Sequence, residues 1–115
     1  MSYDIYVGGE SWNYTSNLSG FLHHYLRTEG YVNGVDSVVT GLMALNNERA
    51  WVAVNILDRA LHEVEEDISH KGVRWMDGEW NPPNGWGNWK DLRQILRDIR
   101  RVCLENPGDT VEIFS

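Results

Sequence analysis

The chain has 115 residues, which fits one domain, and its 42% hydrophobic content excludes a disordered chain. Its single cysteine excludes a disulfide framework and any metal site that needs several cysteines. Ten Lys and Arg stand against 17 Asp and Glu, and this formal charge of −7 disfavours unspecific binding to nucleic acid or anionic lipid. Six Trp are a high number for this length.

The first part of the chain predicts a strand, a loop and a short helix. Apolar and polar side chains alternate over residues 2–7, as in a half-buried strand, and Gly8-Gly9 closes the strand with a turn. Residues 10–17 are predicted to be a polar and aromatic loop. Apolar side chains at helical spacing predict a helix over residues 19–28. Residues 31–45 are ambiguous because Gly34 and Gly41 interrupt the pattern, and residues 41–45 fit a strand, a turn of helix or an extended core segment.

The second part predicts two long helices and a final strand. Residues 48–69 predict the longest helix, with Asn46 and Asn47 as capping residues. Its apolar stripe comprises Ala50, Trp51, Ala53, Val54, Ile56, Leu57, Ala60, Leu61, Val64 and Ile68. Residues 70–88 are predicted to be loop. Asn88 caps a helix over residues 89–105, and alternation over residues 110–114 predicts a strand.

These elements predict one α+β domain over residues 1–115 in which helix dominates. Two strands alone are only marginally stable in water. We therefore expect the N- and C-terminal strands to belong to one small sheet, with three helices packed on it.

A ridge of metal-binding residue types recurs every four positions along the longest helix. Helical geometry places it opposite the apolar stripe, where a metal site would lack its outer hydrogen bonds and dry surroundings. The ridge consists of Asp58, His62, Glu66 and His70. We interpret it as a solvated face and expect neither a metal nor a cofactor. Because P-loop, GxGxxG and nucleophile-elbow motifs are also absent from the sequence, we predict a non-enzymatic protein, with a metal-dependent enzyme as the weaker alternative.

Charged side chains cluster on both long helices. An acidic patch near the end of the first consists of Glu63, Glu65, Glu66 and Asp67. It fits either a solvated helix end or a docking surface for a basic partner. A basic stripe on the second consists of Lys90, Arg93, Arg97, Arg100 and Arg101. We expect this stripe to pair with the acidic patch inside the chain rather than to contact phosphate.

Two predicted loops combine Trp and Tyr with amide side chains. Such aromatics anchor interfaces and line small-ligand pockets, although they also close the ends of a core when their N–H groups are bonded. The candidate binding residues are Trp12, Asn13, Tyr14, Asn17, Trp80, Asn84 and Trp86.

Short motifs near both ends of the chain resemble a family of small uncharacterised proteins of tailed phages and prophages. The motifs are Ser2-Tyr3-Asp4-Ile5-Tyr6, Asn13-Tyr14-Thr15-x-Asn17, Asn84-Gly85-Trp86-Gly87 and Glu105-Asn106-Pro107. The resemblance covers about half of the chain and carries over no catalytic residue. It implies a small accessory phage protein in the bacterial cytoplasm, of the kind that occupies a host factor, including defence machinery.

The leading hypothesis is a phage-type protein that binds and blocks a host protein through its aromatic loops and acidic patch. The alternative is a protein that sequesters a small nucleotide-like ligand in a pocket formed by Tyr14, Trp86 and nearby Asn side chains. The sequence shows neither a signal peptide nor an apolar stretch of about 20 residues, so we expect a cytoplasmic location and no membrane partner. Direct binding to nucleic acid is not expected.

Overall fold

A computed structural model describes residues 2–15, 19–32, 35–81 and 88–114. In chain order, these residues form β1 (Ser2–Val7), β2 (Glu10–Thr15), α1 (Ser19–Tyr25), β3 (Arg27–Val32), β4 (Val35–Thr40), a 3-10 turn (Leu42–Leu45), α2 (Ala50–Lys71), α3 (Val73–Trp80), α4 (Trp89–Glu105) and β5 (Glu112–Phe114). The predicted α+β class is confirmed, and the N- and C-terminal strands share one sheet. The three predicted helices are α1, α2 and α4.

β1 is the central strand of a three-stranded antiparallel sheet in the order β2-β1-β5. Ile5 lies opposite Trp12 on one side and opposite Ile113 on the other. Ile5 is fully buried and Tyr6 is exposed, as the alternation predicted. The predicted loop over residues 10–17 was wrong for residues 10–15, because Trp12 and Tyr14 extend the apolar face of the sheet from β2.

A second antiparallel hairpin, β3–β4, occupies much of the segment that the sequence left open. α1 ends at Tyr25 rather than at residue 28, because Leu26 enters the core and Thr28 then pairs with Val39. The 3-10 turn that follows buries Leu42 and Leu45.

α2 places its predicted apolar stripe against the core, apart from Trp51. Six residues of the stripe are buried, namely Ala50, Ala53, Val54, Leu57, Ala60 and Val64. Trp51 is 59% exposed, so its assignment to the core stripe was wrong. Trp51 follows the buried Ala50 by one position, so its side chain points about 100° around the helix axis from that of Ala50.

The predicted capping role of Asn46 and Asn47 was also wrong. α2 begins after Arg49 and has no side-chain cap. The Asn46 Oδ1 atom instead accepts a hydrogen bond from the backbone N–H of Ile113 at 3.0 Å. Asn47 adopts the left-handed conformation, with φ of 64°, and its N–H donates to the carbonyl of Val111. Both residues therefore join the start of α2 to the C-terminal strand.

α3 replaces part of the loop that was predicted over residues 70–88. α2 continues to Lys71, and Gly72, with φ of 88°, separates it from α3. Met76 is the buried residue of α3, and Trp75 and Trp80 pack against the core. Trp75 and Trp80 are therefore helical residues rather than loop residues.

α4 closes the core as predicted. The side chain of Asn88 caps it by accepting from the backbone N–H of Lys90 at 2.8 Å. Its buried residues are Trp89, Leu92, Leu96, Ile99, Val102 and Cys103. Cys103 is fully buried as an apolar core residue, and burial raises the pKa of its thiol to about 11, which disfavours the reactive thiolate at neutral pH. Among the described residues, no helix is both long and apolar enough to cross a membrane.

Candidate functional site

Those predicted binding residues that the structure describes lie on two different elements. Trp12, Asn13 and Tyr14 lie on β2, and Trp80 lies at the end of α3. The predicted binding residues Asn17, Asn84 and Trp86 lie outside the described residues.

The residues of β2 alternate between the two faces of the sheet. Trp12 and Tyr14 point to the core, where Trp12 is partly buried and Tyr14 is 8% exposed. The Tyr14 ring stacks on Tyr3 at a centroid distance of 6.5 Å. Asn13 points to solvent and donates a hydrogen bond to Asp4 at 2.7 Å. Tyr14 thus stabilises the core, and its burial gives no support to the predicted nucleotide pocket.

Trp80 belongs to an aromatic cluster that joins α3 to α1. Its ring contacts Phe21, His24, Tyr25 and Trp75 at centroid distances from 5.1 to 6.4 Å. Its indole N–H donates to the Tyr25 hydroxyl at 3.3 Å. Trp80 therefore packs against one end of the core. The sequence had left open whether it has this structural role or a binding role.

The same cluster contains a buried tyrosine hydroxyl that is bonded on several sides. The Tyr25 hydroxyl donates to the Asp67 carboxylate at 2.5 Å and accepts from Trp80. Burial and the bond to Asp67 raise the pKa of Tyr25 well above its ordinary value. The hydroxyl joins α1, α2 and α3 at one point.

We expect Tyr25→Phe to lower the free energy of unfolding by about 1.5–3 kcal/mol, the range for a hydrogen bond to a charged group. Urea unfolding at neutral pH measures this loss, and Tyr6→Phe on the exposed sheet face is the control, expected within about 0.5 kcal/mol of wild type.

Because the pKa of Tyr25 is raised on folding, its contribution is complete below the ordinary value of 10.0 and is lost as pH rises above it. Tyr25→Phe should therefore lose less stability above pH 10.0 than wild type does. Equal urea midpoints for Tyr25→Phe and wild type would contradict this role.

Side chains of the same chain engage two members of the acidic patch, Glu63 and Asp67. Arg27 donates to both carboxylate oxygens of Glu63, at 2.7 and 3.0 Å. Asp67 accepts from Tyr25 and lies 3.8 Å from the Lys71 ammonium. These contacts hold α1 and β3 against α2.

The basic stripe of α4 engages a third member of the patch, as predicted. Arg93 and Arg97 both pair with Glu65, at 3.2 and 3.0 Å. Arg100 pairs with Asp58, which lies about two helical turns before Glu65 on α2. The predicted pairing of the basic stripe with the acidic patch is therefore confirmed for Arg93 and Arg97. It was wrong for Arg100, which pairs with α2 outside the patch, and for Arg101, which pairs with Glu105 of its own helix.

The ridge that was considered for a metal consists of Asp58, His62, Glu66 and His70. Each of these side chains forms a hydrogen bond or an ion pair with a neighbouring group of the chain. His62 lies 3.1 Å from Glu66, and the His70 ring contacts the backbone carbonyl of Glu66 at 2.8 Å. The part of the chain that the structure describes contains no group of three or more His, Cys, Asp or Glu side chains that could hold a metal ion.

An exposed aromatic pair that the sequence analysis did not single out lies on the outer face of the three-stranded sheet. Tyr6 on β1 is 44% exposed and Phe114 on β5 is 54% exposed. Their rings meet edge to face, with centroids 5.6 Å apart and an interplanar angle of 74°. Alternation along β1 and β5 could have indicated that each side chain faces outward, but their contact depends on the pairing of distant strands.

Acidic and amide side chains surround this aromatic pair. Asp4 lies opposite Phe114 and Asn13 in the sheet, and Glu112 lies opposite Tyr6. The three strands contain three acidic residues and no Lys, Arg or His. We name the outer-face residues Asp4, Tyr6, Ser11, Asn13, Glu112 and Phe114 the sheet surface.

No family model, curated protein or solved structure matches the chain. The candidate surfaces are therefore distinguished by their own chemistry. Acidic-patch residues such as Glu65 are held by arginines of the chain itself, whereas the sheet surface presents large aromatic side chains to solvent. Large aromatic side chains are enriched at surfaces that bind other proteins.

Proposed function

We propose that this chain is a non-enzymatic protein that binds a basic surface of another protein through its sheet surface. The observation that carries the proposal is the exposed Tyr6–Phe114 pair. Tyrosine and phenylalanine supply large apolar area with few rotatable bonds, so ordering them at an interface costs little entropy. A pair that is already in contact in the free protein is partly organised for binding.

The charge of the sheet surface favours a partner rich in Arg and Lys. Asp4 and Glu112 flank the aromatic pair, and the strands themselves contain no basic residue. A guanidinium or ammonium group placed over either ring gains a cation–π contact and lies within reach of a carboxylate. The formal charge of −7 adds long-range attraction to a basic partner, to which the acidic patch of α2 contributes.

The partner is expected to use the face of the sheet rather than extend it beyond β5. The N–H of Ile113, on the outer edge of β5, already donates to Asn46. Since β5 has three residues, this bond blocks the centre of that edge.

The resemblance to proteins of tailed phages suggests which partner is blocked. In that context we propose a bacterial host protein, including one of the defence machinery, and a cytoplasmic location for the complex. This assignment depends on the resemblance, whereas the aromatic and acidic chemistry supports the binding surface itself.

The test is to capture basic host proteins with the tagged chain and then to measure binding to each purified candidate by calorimetry. We expect the double variant Tyr6→Ser/Phe114→Ser to lower the affinity by about 30-fold or more, equivalent to about 2 kcal/mol, because central aromatics dominate binding energies. The affinity of wild type should also fall with added salt, since the partner is basic.

Trp51→Ser provides the matched control, because it removes an exposed aromatic of α2 that lies outside the sheet surface. This variant should bind as wild type does. The proposal fails if the double variant binds every purified candidate with the affinity of wild type while remaining folded by circular dichroism.

A further inference from the structure

β2 is an edge strand of the three-stranded sheet, and part of its backbone points away from β1. The two-residue turn before it makes Val7 and Glu10 a pair that exchanges both backbone hydrogen bonds. Bonded and non-bonded pairs alternate along an antiparallel hairpin. The backbone N–H and C=O groups of Ser11 and Asn13, one and three positions further along β2, therefore point outward.

The other side of the sheet shows the same alternation. The N–H of Ile113 donates to Asn46, away from β1, so Ile113 and the opposite residue Ile5 are a non-bonded pair. Ile5 therefore directs its backbone groups to its other neighbour, Trp12. Because Trp12 is bonded to β1, the two residues that flank it in β2 face away from β1.

These outward groups are open to a partner. Ser11 and Asn13 are exposed, and within the residues that the structure describes no hydrogen bond from another element reaches their backbone groups. β2 pairs with β1 without a bulge and contains neither Pro nor Lys, which commonly protect an edge strand. An unprotected edge of this kind is a template for a further strand.

We propose that β2 pairs with β2 of a second copy of this chain, in an antiparallel register centred on Asn13. The two Asn13 residues are then directly opposite, and Ser11 lies opposite Thr15 of the other copy. All of these positions direct their backbone groups outward, so each pair exchanges both backbone hydrogen bonds. Trp12 lies opposite Tyr14 on the inner face, an aromatic cross-strand pair that forms twice. Centring the pairing on Trp12 or on Tyr14 would lose one of the bonded pairs.

The charge of the chain permits this pairing, because the directly opposed residues 11–15 are uncharged. The carboxylate that faces the interface from β1 is Asp4, which is bonded to Asn13. Its two copies would be three strand spacings apart, about 14 Å, which exceeds the Debye length of about 8 Å at physiological ionic strength. Glu10 lies beyond the opposed residues, at the ends of the pairing.

Pairing through β2 would join the two sheets into one continuous sheet with the strand order β5-β1-β2-β2-β1-β5. Directly opposed residues of antiparallel strands project to the same face, so both Tyr6–Phe114 pairs would lie on one face of the dimer. Neither aromatic pair takes part in the dimer contact. The dimer therefore does not depend on the function proposed for the sheet surface.

The test is sedimentation velocity of the full chain from about 10 μM to about 1 mM, because an edge pairing buries little surface and is expected to be weak. Wild type should change from monomer to dimer over this range. Ser11→Pro removes an outward N–H and keeps the bonds to β1, so it should weaken dimerisation about tenfold or more. Ser11→Ala keeps the N–H and should dimerise as wild type does, as should Tyr6→Ser/Phe114→Ser. Wild type that stays monomeric at about 1 mM would overturn the proposal, as would undiminished dimerisation of folded Ser11→Pro.

Two cysteine variants test the register independently of the proline variant. Directly opposed, bonded residues have Cα atoms about 5.5 Å apart, within the range that a disulfide spans. Asn13→Cys should therefore form a covalent dimer under mild oxidation. Ser11→Cys should not, because its two copies lie about 13 Å apart along the strands, and the buried Cys103 does not compete. Equal cross-linking of the two variants, or none by Asn13→Cys, would overturn the proposal.

Discussion

Trp89→Ala should lower the free energy of unfolding by about 3–5 kcal/mol, the usual cost of removing a large aromatic side chain from a core. Trp89 is 1% exposed although it is the first residue of α4. Its indole N–H donates to the Asp77 carboxylate at 2.8 Å, and its backbone N–H donates to the Asn81 side chain at 3.0 Å. The replacement therefore leaves a cavity and also removes one of the bonds between α3 and α4. Urea unfolding followed by far-ultraviolet circular dichroism measures the loss without relying on tryptophan fluorescence.

The matched control is Trp51→Ala, which removes the same side chain from an exposed position at the start of α2. We expect this change to stay within about 0.5 kcal/mol of wild type. Trp89→Phe separates the two contributions of Trp89, because it keeps an aromatic ring and loses the N–H that bonds Asp77. It should fall between Trp89→Ala and wild type. Equal losses for Trp89→Ala and Trp51→Ala would show that Trp89 does not anchor the core.

The burial of Trp89 and the exposure of Trp51 show which features of a fold local sequence patterns can predict. The long helices α2 and α4 follow from apolar periodicity over many residues, and the cap at Asn88 follows from a preference that acts within one turn. Burial of a single side chain at a helix start depends on which element packs there. The pattern therefore placed Trp51 in the core stripe, although it is exposed, and gave no sign that Asp77 would bond Trp89.

The elements that were missed are those that need distant partners. β2 contains Trp12, Asn13 and Tyr14, residue types common in binding loops, and it is a strand because β1 pairs with it along its length. α3 has eight residues, too few for a stable isolated helix, and it depends on buried Met76 and on the aromatic cluster around Trp80. Neither condition can be inferred from the segment alone.

The candidate binding surface was missed for the same reason. Tyr6 and Phe114 are 108 positions apart in a chain of 115 residues, and the antiparallel register of β1 and β5 alone brings their rings together. The acidic patch, in contrast, was evident in the sequence. Its ion pairs with Arg27 and with the arginines of α4 form only when the helices are packed. Because these ion pairs occupy carboxylates of the patch, the sheet surface is a stronger candidate for binding than α2.

Gly8→Ala should lower the free energy of unfolding by about 2–4 kcal/mol, because it combines backbone strain with overpacking. Gly8 and Gly9 form the β1–β2 turn with φ of 60° and 78°, the left-handed region that favours glycine. A Cβ atom at Gly8 would lie 2.7 Å from Val102 Cγ1 and 2.7 Å from Asn106 Nδ2, at the end of α4. At Gly9 it would meet nothing within 4 Å. Gly9→Ala therefore measures the backbone strain alone, about 1–2 kcal/mol.

The difference between the two alanine variants isolates the contact between the turn and α4, and a double-mutant cycle tests its origin. Val102→Ala removes the Cγ1 atom that a Cβ at Gly8 would strike, so the double variant Gly8→Ala/Val102→Ala should be more stable than the sum of the single losses predicts, by about 1 kcal/mol. The pair Gly9→Ala and Val102→Ala should be additive. If Gly8→Ala and Gly9→Ala cost the same in urea unfolding, the turn does not pack on α4 closely enough to require glycine. If Gly8→Ala costs more free energy of unfolding than Gly9→Ala does, the contact between the turn and α4 holds the sheet against the end of the last helix. Tyr6 and Phe114 belong to this sheet and are positioned with it.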